Sequence, residues 1–151
     1  MKIADILRPE DVILDLRSAD KPRMLEELAR RSVELAGVEA SAISDALNAR
    51  ERLGSTGMGA GIAIPHARLP SLMRPVGLFA RLRPPIDFDA IDGQRVDLVF
   101  LLLLPAQAQG DHLNALACVA RKLREDQAKA EVRKAHLDDQ IYAILTRQIA
   151  A

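Results

Sequence analysis

The chain has little aromatic surface. Phe, Tyr and Trp make up 3% of its 151 residues, and Trp is absent. That argues against a base-stacking platform of the kind used to hold single-stranded nucleic acid. It has one cysteine, Cys118, and three histidines. No internal disulfide can form, and no Cys/His spacing suits structural zinc. It has no excess charge: Lys+Arg and Asp+Glu are both 21. No global basic field would draw it to nucleic acid or to an anionic membrane. The longest apolar run, Val96 to Pro105, is interrupted by Asp97 and is too short to span a bilayer. At the N-terminus Asp5, Glu10 and Asp11 stand where a signal peptide would need an apolar core. These absences lead to the expectation of a cytoplasmic protein with a reduced thiol and no membrane insertion.

What remains is an ordinary globular composition, 49% hydrophobic and 28% charged. The length suits one domain over residues 1–151, with no repeat, low-complexity tract or linker. Val12 to Leu16 reads as a strand. Asp20 is placed to cap a helix with Pro22 in its first turn, carrying Leu25, Leu28 and Leu35 and ending at Gly37. Ser41 is the expected cap of a second helix that ends near Gly54. Val76 to Leu82 and Leu98 to Leu104 read as strands separated by Pro84 and Pro85, and the second is apolar enough for a sheet centre. Asp111 is the expected cap of a helix burying Leu113, Leu116, Ala117, Ala120 and Leu123. Asp126 opens a short helix, and Asp138 or Asp139 a last one carrying Ile141, Ile144 and Leu145. Strands and helices mixed around a central apolar strand point to an α/β sandwich.

The segment most informative about chemistry is Arg50 to Arg68, RERLGSTGMGAGIAIPHAR. A histidine that accepts phosphate must be neutral, with one ring nitrogen free and the other held. Cations or N–H donors must meet the phosphoryl oxygens. His66 follows Pro65 and the apolar lead-in Ile62 to Ile64, which anchors it in a loop. Gly57, Gly59 and Gly61 are expected to leave N–H groups open to an anion, and Arg50 and Arg68 supply guanidinium forks. Each feature alone has a plainer explanation. A histidine after proline is commonly just a loop residue, a glycine run a turn, and Arg50 a partner for Glu51. No lysine follows the glycines, so no nucleotide P-loop is present. Their concentration in one short segment favours function.

His112 is the second candidate, at the expected start of a helix, where the dipole disfavours an imidazolium and favours a phosphate. A neutral imidazole there could donate one hydrogen bond to a phosphoryl oxygen. His136, in the polar RKAHLDDQ stretch, reads as a surface residue. No carboxylate stands at HExxH-like spacing, which disfavours a metal hydrolase.

The pattern REXLGSTGXGXGIAIPHXR, together with DHLNALACVARKL at 111–123 and the opening IADILRPEDVILDLRSADK, resembles the EIIA domains of the fructose, mannitol and nitrogen-type phosphotransferase systems. The resemblance covers nearly the whole chain. It implies a mixed sheet of about five strands with helices on both sides. It also implies a phosphohistidine carrier in which His66 accepts a phosphoryl group from an HPr-like protein. His112 would be the auxiliary histidine and Arg50 would stabilise the phosphate, with no metal or organic cofactor. Within the family the wording is most like the nitrogen-type regulatory branch, whose phosphate is read by target proteins. The alternatives are a sugar-transport EIIA that passes phosphate to an EIIB, and a binding module that works without phosphorylation. For that last reading Met58, Leu69, Leu72 and Met73 are the candidate docking residues.

Overall fold

The computed structural model describes residues 1–107 and 109–148, with residues 109 and 111 described by backbone alone. Its elements are β1 (Val12–Leu16), α1 (Lys21–Arg31), α2 (Val33–Ala36), α3 (Ala40–Arg52), β2 (Gly57–Gly59), β3 (Ile62–Ala63), β4 (His66–Leu69), β5 (Val76–Ile86), β6 (Val96–Pro105), α4 (Gln109–Leu123), α5 (Asp126–Lys134) and α6 (Asp138–Thr146).

The strands form one mixed six-stranded sheet in the order β1-β5-β6-β3-β2, with β4 also paired to β6. The sheet follows from the apolar run of β6, every residue of which is buried except the half-buried Asp97. A strand like this needs cover on both faces. Val99, Leu101 and Leu103 pack with α1 and α3 through Met24, Leu28, Ile43 and Leu47. Leu98, Phe100, Leu102 and Leu104 point the other way, towards Ala115, Val119, Val132 and Ile141 of α4, α5 and α6. Side-chain alternation on one strand thus sorts two cores. The expected α/β sandwich is present, with six strands rather than about five.

The helices begin largely as expected. The Asp20 side chain accepts the Arg23 N–H at 3.0 Å, and Pro22 sits in the first turn of α1. The single helix expected up to Gly37 is instead broken at Ser32, whose hydroxyl donates to the Leu28 and Ala29 carbonyls at 2.8 and 3.1 Å. Gly37 then closes α2 at φ +69°. Ser41 lies inside α3, whose cap position is Glu39.

Two further expectations need correction. Pro84 and Pro85 do not end β5, which continues to Ile86. The ladder to β6 is irregular between Arg81 and Ile86, where two prolines have no N–H to contribute. In α4 the buried face is His112, Ala115, Val119 and Leu123, rotated by one residue from the expected stripe. Leu123 is common to both and the expected Leu116 and Ala120 are half-buried against the same core, whereas Leu113 is 73% exposed and Ala117 is exposed. The helix also starts ahead of Asp111, whose side chain lies outside the described residues.

One topological detail positions the site. β3 and β4 lie along the same edge of β6 in the same register, Ile62 opposite Leu98 and His66 opposite Leu102. Ile64 and Pro65 interrupt the line. The Pro65 carbonyl accepts the Leu102 N–H at 2.9 Å, and the Ile64 N–H turns away to the Thr56 carbonyl at 3.1 Å. His66 therefore belongs to a strand, not to the loop expected from Pro65. Even-numbered residues of this line share a face, so His66 and Arg68 follow Ile62 and Ile64 towards the α4 side. Ala67 and Leu69 go into the opposite core.

Candidate functional site

The segment leading to His66 is fastened by buried polar groups. Glu51, in the last turn of α3, accepts the Thr56 N–H at 3.0 Å and the Thr56 hydroxyl at 2.6 Å, and pairs with Lys21 of α1 at 2.9 Å. Lys21 also donates to the Phe88 carbonyl at 3.4 Å and stands over the Phe88 ring. Ser55 donates to the same carbonyl at 2.6 Å and accepts the Gly57 N–H at 3.0 Å. A Cβ on Gly57 would lie 2.9 Å from the Ala90 side chain and 3.0 Å from its backbone, so only glycine fits. Four parts of the chain, α1, α3, the 55–57 turn and the β5–β6 loop, are thereby locked together. Because these donors and acceptors are largely shielded from water, losing one partner is costly to the others.

The glycines do not form the expected anion cradle. The Gly57 N–H is used by Ser55. Gly59 and Gly61, at φ +95° and +80°, shape the turn of the β2–β3 hairpin. Asp92 accepts the Ala60 N–H at 2.9 Å, and Arg133, paired with Asp97 at 2.9 Å, donates to the Ala60 carbonyl at 2.9 Å. The glycine run is a hairpin that delivers β3 to the edge of β6.

His66 is half-buried at the first position of β4. Its Nδ1 lies 2.8 Å from the Ile64 carbonyl oxygen. A carbonyl only accepts, so Nδ1 carries the proton and Nε2 keeps its lone pair. Arg50 Nε donates to that lone pair at 3.3 Å, while Arg50 Nη1 donates to the Gly54 carbonyl at 2.9 Å. Arg50 thus faces His66 and the loop carbonyl rather than Glu51. Burial pushes the His66 imidazole below the usual histidine range. The Ile64 hydrogen bond and Glu51 pull the other way, and Arg50 and Arg68 add to the depression. The result is a neutral imidazole with a fixed tautomer and a nucleophilic nitrogen facing a cation.

His112 lies in the first turn of α4 and is 3% exposed. Its Nε2 is hydrogen-bonded to the Pro105 carbonyl at the end of β6. Its Nδ1 is buried and, among the described residues, has no partner. His66, His112, Arg50 and Arg68 all line one groove of about 730 Å³, edged by Leu53 and Leu113, which are 84% and 73% exposed. The three site residues expected from sequence therefore converge from α3, β4 and α4, with Arg68 as a second cation on the rim. A neutral His112, however, has spent its one N–H on Pro105. In that state the remaining Nδ1 lone pair is buried.

Elsewhere the expectations divide. Leu69 and Leu72 are core residues, not docking residues, whereas Met73 is 93% exposed and Met58 is half-buried beside His66. His136 is on the surface. Lys21 and the buried role of Glu51 were not anticipated. Their only signal was a lysine at the start of an amphipathic helix, and nothing local ties it to a residue 30 positions on. Among the described residues, no group of three or more His, Cys, Asp or Glu side chains is placed to hold a metal ion, and no helix is long and apolar enough to cross a membrane.

Residues 5–148 match the family described as phosphoenolpyruvate-dependent sugar phosphotransferase system, EIIA 2. The chain is 46% identical over 145 residues to a nitrogen regulatory protein of Bradyrhizobium diazoefficiens, covering 96% of this chain and 95% of that one. It is 37% identical over 147 residues to a nitrogen regulatory protein of Klebsiella oxytoca, covering 97% and 91%. The crystal structure of nitrogen regulatory protein IIA-Ntr from Neisseria meningitidis superposes with a TM-score of 0.91 at 36% identity, covering 95% of this chain and 99% of that one. The sheet, the groove and these likenesses agree, and the chain belongs to the EIIA 2 family of the phosphoenolpyruvate-dependent sugar phosphotransferase system.

Proposed function

We propose that the chain is a single-domain phosphocarrier of the nitrogen-regulatory type, with His66 as its phosphoryl acceptor. The observation that carries this reading is the His66 tautomer. Nδ1–H is held by the Ile64 carbonyl, and the Nε2 lone pair faces the groove beside Arg50. In the proposed reaction a phosphohistidine of an HPr-like protein enters the groove. Arg50 swings from the lone pair to the phosphoryl oxygens, the His66 Nε2–P bond forms, and the donor's N–P bond breaks with its electron pair returning to the donor ring. Ile64 keeps hold of the Nδ1 proton, which stabilises the charge that develops on the imidazole. Arg50 and Arg68 offset the phosphoryl charge in a site partly shielded from water. The exposed Leu53 and Leu113 give the partner an apolar edge to rest on.

The regulatory assignment is supported by the likeness to nitrogen regulatory proteins of two organisms over almost the full length of each. On this reading the protein works in the cytoplasm, and target proteins or an EIIB distinguish its two states. The test is incubation with a phosphorylated HPr-like donor, followed by measurement of acid-labile phosphate. Wild type is expected to take up one phosphate and His66→Ala none. Normal labelling of His66→Ala would overturn the site. Rapid passage of the label to a sugar-specific EIIB, with loss of uptake of one sugar on deletion, would replace the regulatory reading by a transport one.

A further inference from the structure

Resting on the proposed transfer to His66, we infer that Thr56 is a positioning residue for that histidine, acting through the backbone of Ile64. The Ile64 carbonyl holds the His66 Nδ1 proton at 2.8 Å. That carbonyl belongs to the peptide joining Ile64 to Pro65, and a peptide followed by proline has no N–H. It has no ladder bond of its own to pin it, so its place depends on the groups to either side. On one side the Pro65 carbonyl accepts the Leu102 N–H of β6 at 2.9 Å. On the other the Ile64 N–H donates to the Thr56 carbonyl at 3.1 Å. The first anchor is part of the sheet. The second hangs on how firmly Thr56 itself is held.

Thr56 is 6% exposed and stands just ahead of β2. Its hydroxyl donates to Glu51 Oε2 at 2.6 Å and its N–H to Oε1 at 3.0 Å, so one carboxylate grips the residue at two points. Lys21 pairs with Oε1 at 2.9 Å. The hydroxyl, N–H and carbonyl of Thr56 are thus all committed. The bonds run from Lys21 through Glu51, Thr56 and Ile64 to the ring of His66. A tie that only fastened the 55–57 turn to α3 would stop at Thr56; this one continues to a ring nitrogen of the acceptor. On the proposed function Arg50 leaves the His66 Nε2 lone pair when the donor arrives. The Ile64 carbonyl is then the contact that remains to fix the tautomer and the aim of the ring. A carbonyl out of place turns Nε2 away from phosphorus, and misaligned reactants lose rate. Thr56 acts on the aim of the ring, so its effect belongs in the maximal rate of transfer.

The test uses the full chain and variants of this one side chain. Thr56→Val keeps the shape and the backbone N–H and removes the hydroxyl from Glu51, and Thr56→Ser restores a hydroxyl. With a phosphorylated HPr-like donor, Thr56→Val is expected to lower the maximal rate of His66 labelling about three- to tenfold, the effect of one lost hydrogen bond, with the half-saturating donor concentration nearly unchanged. Thr56→Ser should recover most of that rate. Equal rates for wild type and Thr56→Val would overturn the inference, and so would a raised half-saturation at unchanged maximal rate.

A spectroscopic reading separates positioning from mere loss of stability. In protein with ¹⁵N-labelled histidine, at a temperature where every form is folded, the His66 Nδ1–H resonance should be sharp in wild type and in Thr56→Ser. In Thr56→Val it should be broadened by exchange with water, because the Ile64 carbonyl no longer holds the proton. An unchanged resonance in folded Thr56→Val would make Thr56 a structural tie alone and overturn the inference. If Thr56→Val does not fold, Thr56→Ala, which leaves room for a water at Glu51, is read in the same two ways. Wild type that takes no phosphate on His66 removes the proposed function and this inference with it. Normal labelling of wild type beside indifferent Thr56 variants removes this inference and leaves the proposed function standing.

Discussion

The two walls of the groove are built by different means. The His66 wall is a hydrogen-bonded lattice drawn from α1, α3, the 55–57 turn and the β5–β6 loop, in which Glu51, Thr56, Ser55 and Lys21 are each paired. The His112 wall is one helix resting on the sheet through Ala115, Val119 and Leu123; at its groove end the described side-chain hydrogen bond is that of His112 to the Pro105 carbonyl, and its other polar ties, from Cys118 and Lys122, lie farther along the helix. One wall fixes an imidazole, its tautomer and the cation beside it. The other leaves a ring nitrogen uncommitted. Both walls put a large apolar side chain into solvent at the rim, Leu53 beside α3 and Leu113 on α4. The contrast suggests a division of labour: the β4 side holds the His66 geometry rigidly, and α4 supplies the less constrained wall and part of the apolar rim.

If that division holds, cutting the lattice should cost stability as well as transfer. Glu51→Ala should have the largest effect. It strands Lys21, whose side chain is only 15% exposed, and removes the acceptor from both Thr56 groups. A loss on the order of 3 kcal/mol is expected in urea unfolding, from breaking a buried pair on one side. Glu51→Gln, which can still accept from Thr56, should lose less. A loss below about 1 kcal/mol for the alanine variant would show that the lattice does not hold this wall.

Gly57→Ala comes next. The added methyl would meet both the side chain and the backbone of Ala90 near 3 Å, so the β5–β6 loop has to shift. The expected cost is about 1–3 kcal/mol, as for other overpacked sites. Labelling of His66 should slow as well, since Ser55 bonds both this turn and Phe88. Unchanged unfolding and unchanged labelling would argue that the loop yields freely.

The same contrast explains what could be read in advance. The sandwich was legible because β6 is apolar apart from Asp97, a pattern that demands cover on both faces. His66, Arg50 and His112 were legible as a set because residue types with the required chemistry stand at the positions of a long motif. The strand setting of His66 was not legible. Pro65 looks like a terminator locally, yet it merely skips one N–H in a line whose register is set by Leu98 and Leu102 of β6. Lys21 was invisible because its partner lies 30 residues on and is chosen by the packing of α1 against α3. The buried face of α4 was not fully legible either. Burying apolar residues is the default assumption, but here the inward face begins with His112, and Leu113 is turned outward onto the rim of the groove.

That outward leucine gives the smallest expected effect on the isolated protein and the sharpest test of the second wall. Leu113 is 73% exposed, so Leu113→Ala removes little buried surface and should change stability by less than about 0.5 kcal/mol. On the proposed function the groove receives another protein; a leucine at its edge then loses that exposure on docking, and apolar contacts of this kind are worth on the order of 1 kcal/mol. The donor concentration needed for half-maximal labelling of His66 should therefore rise severalfold, with the maximal rate nearly unchanged, because an apolar side chain offers the phosphoryl group neither charge nor hydrogen bond. The reverse pattern, a lowered maximal rate at unchanged half-saturation, would mean that α4 positions the chemistry rather than the partner. The division between the two walls would then fail at the residue where it is easiest to see.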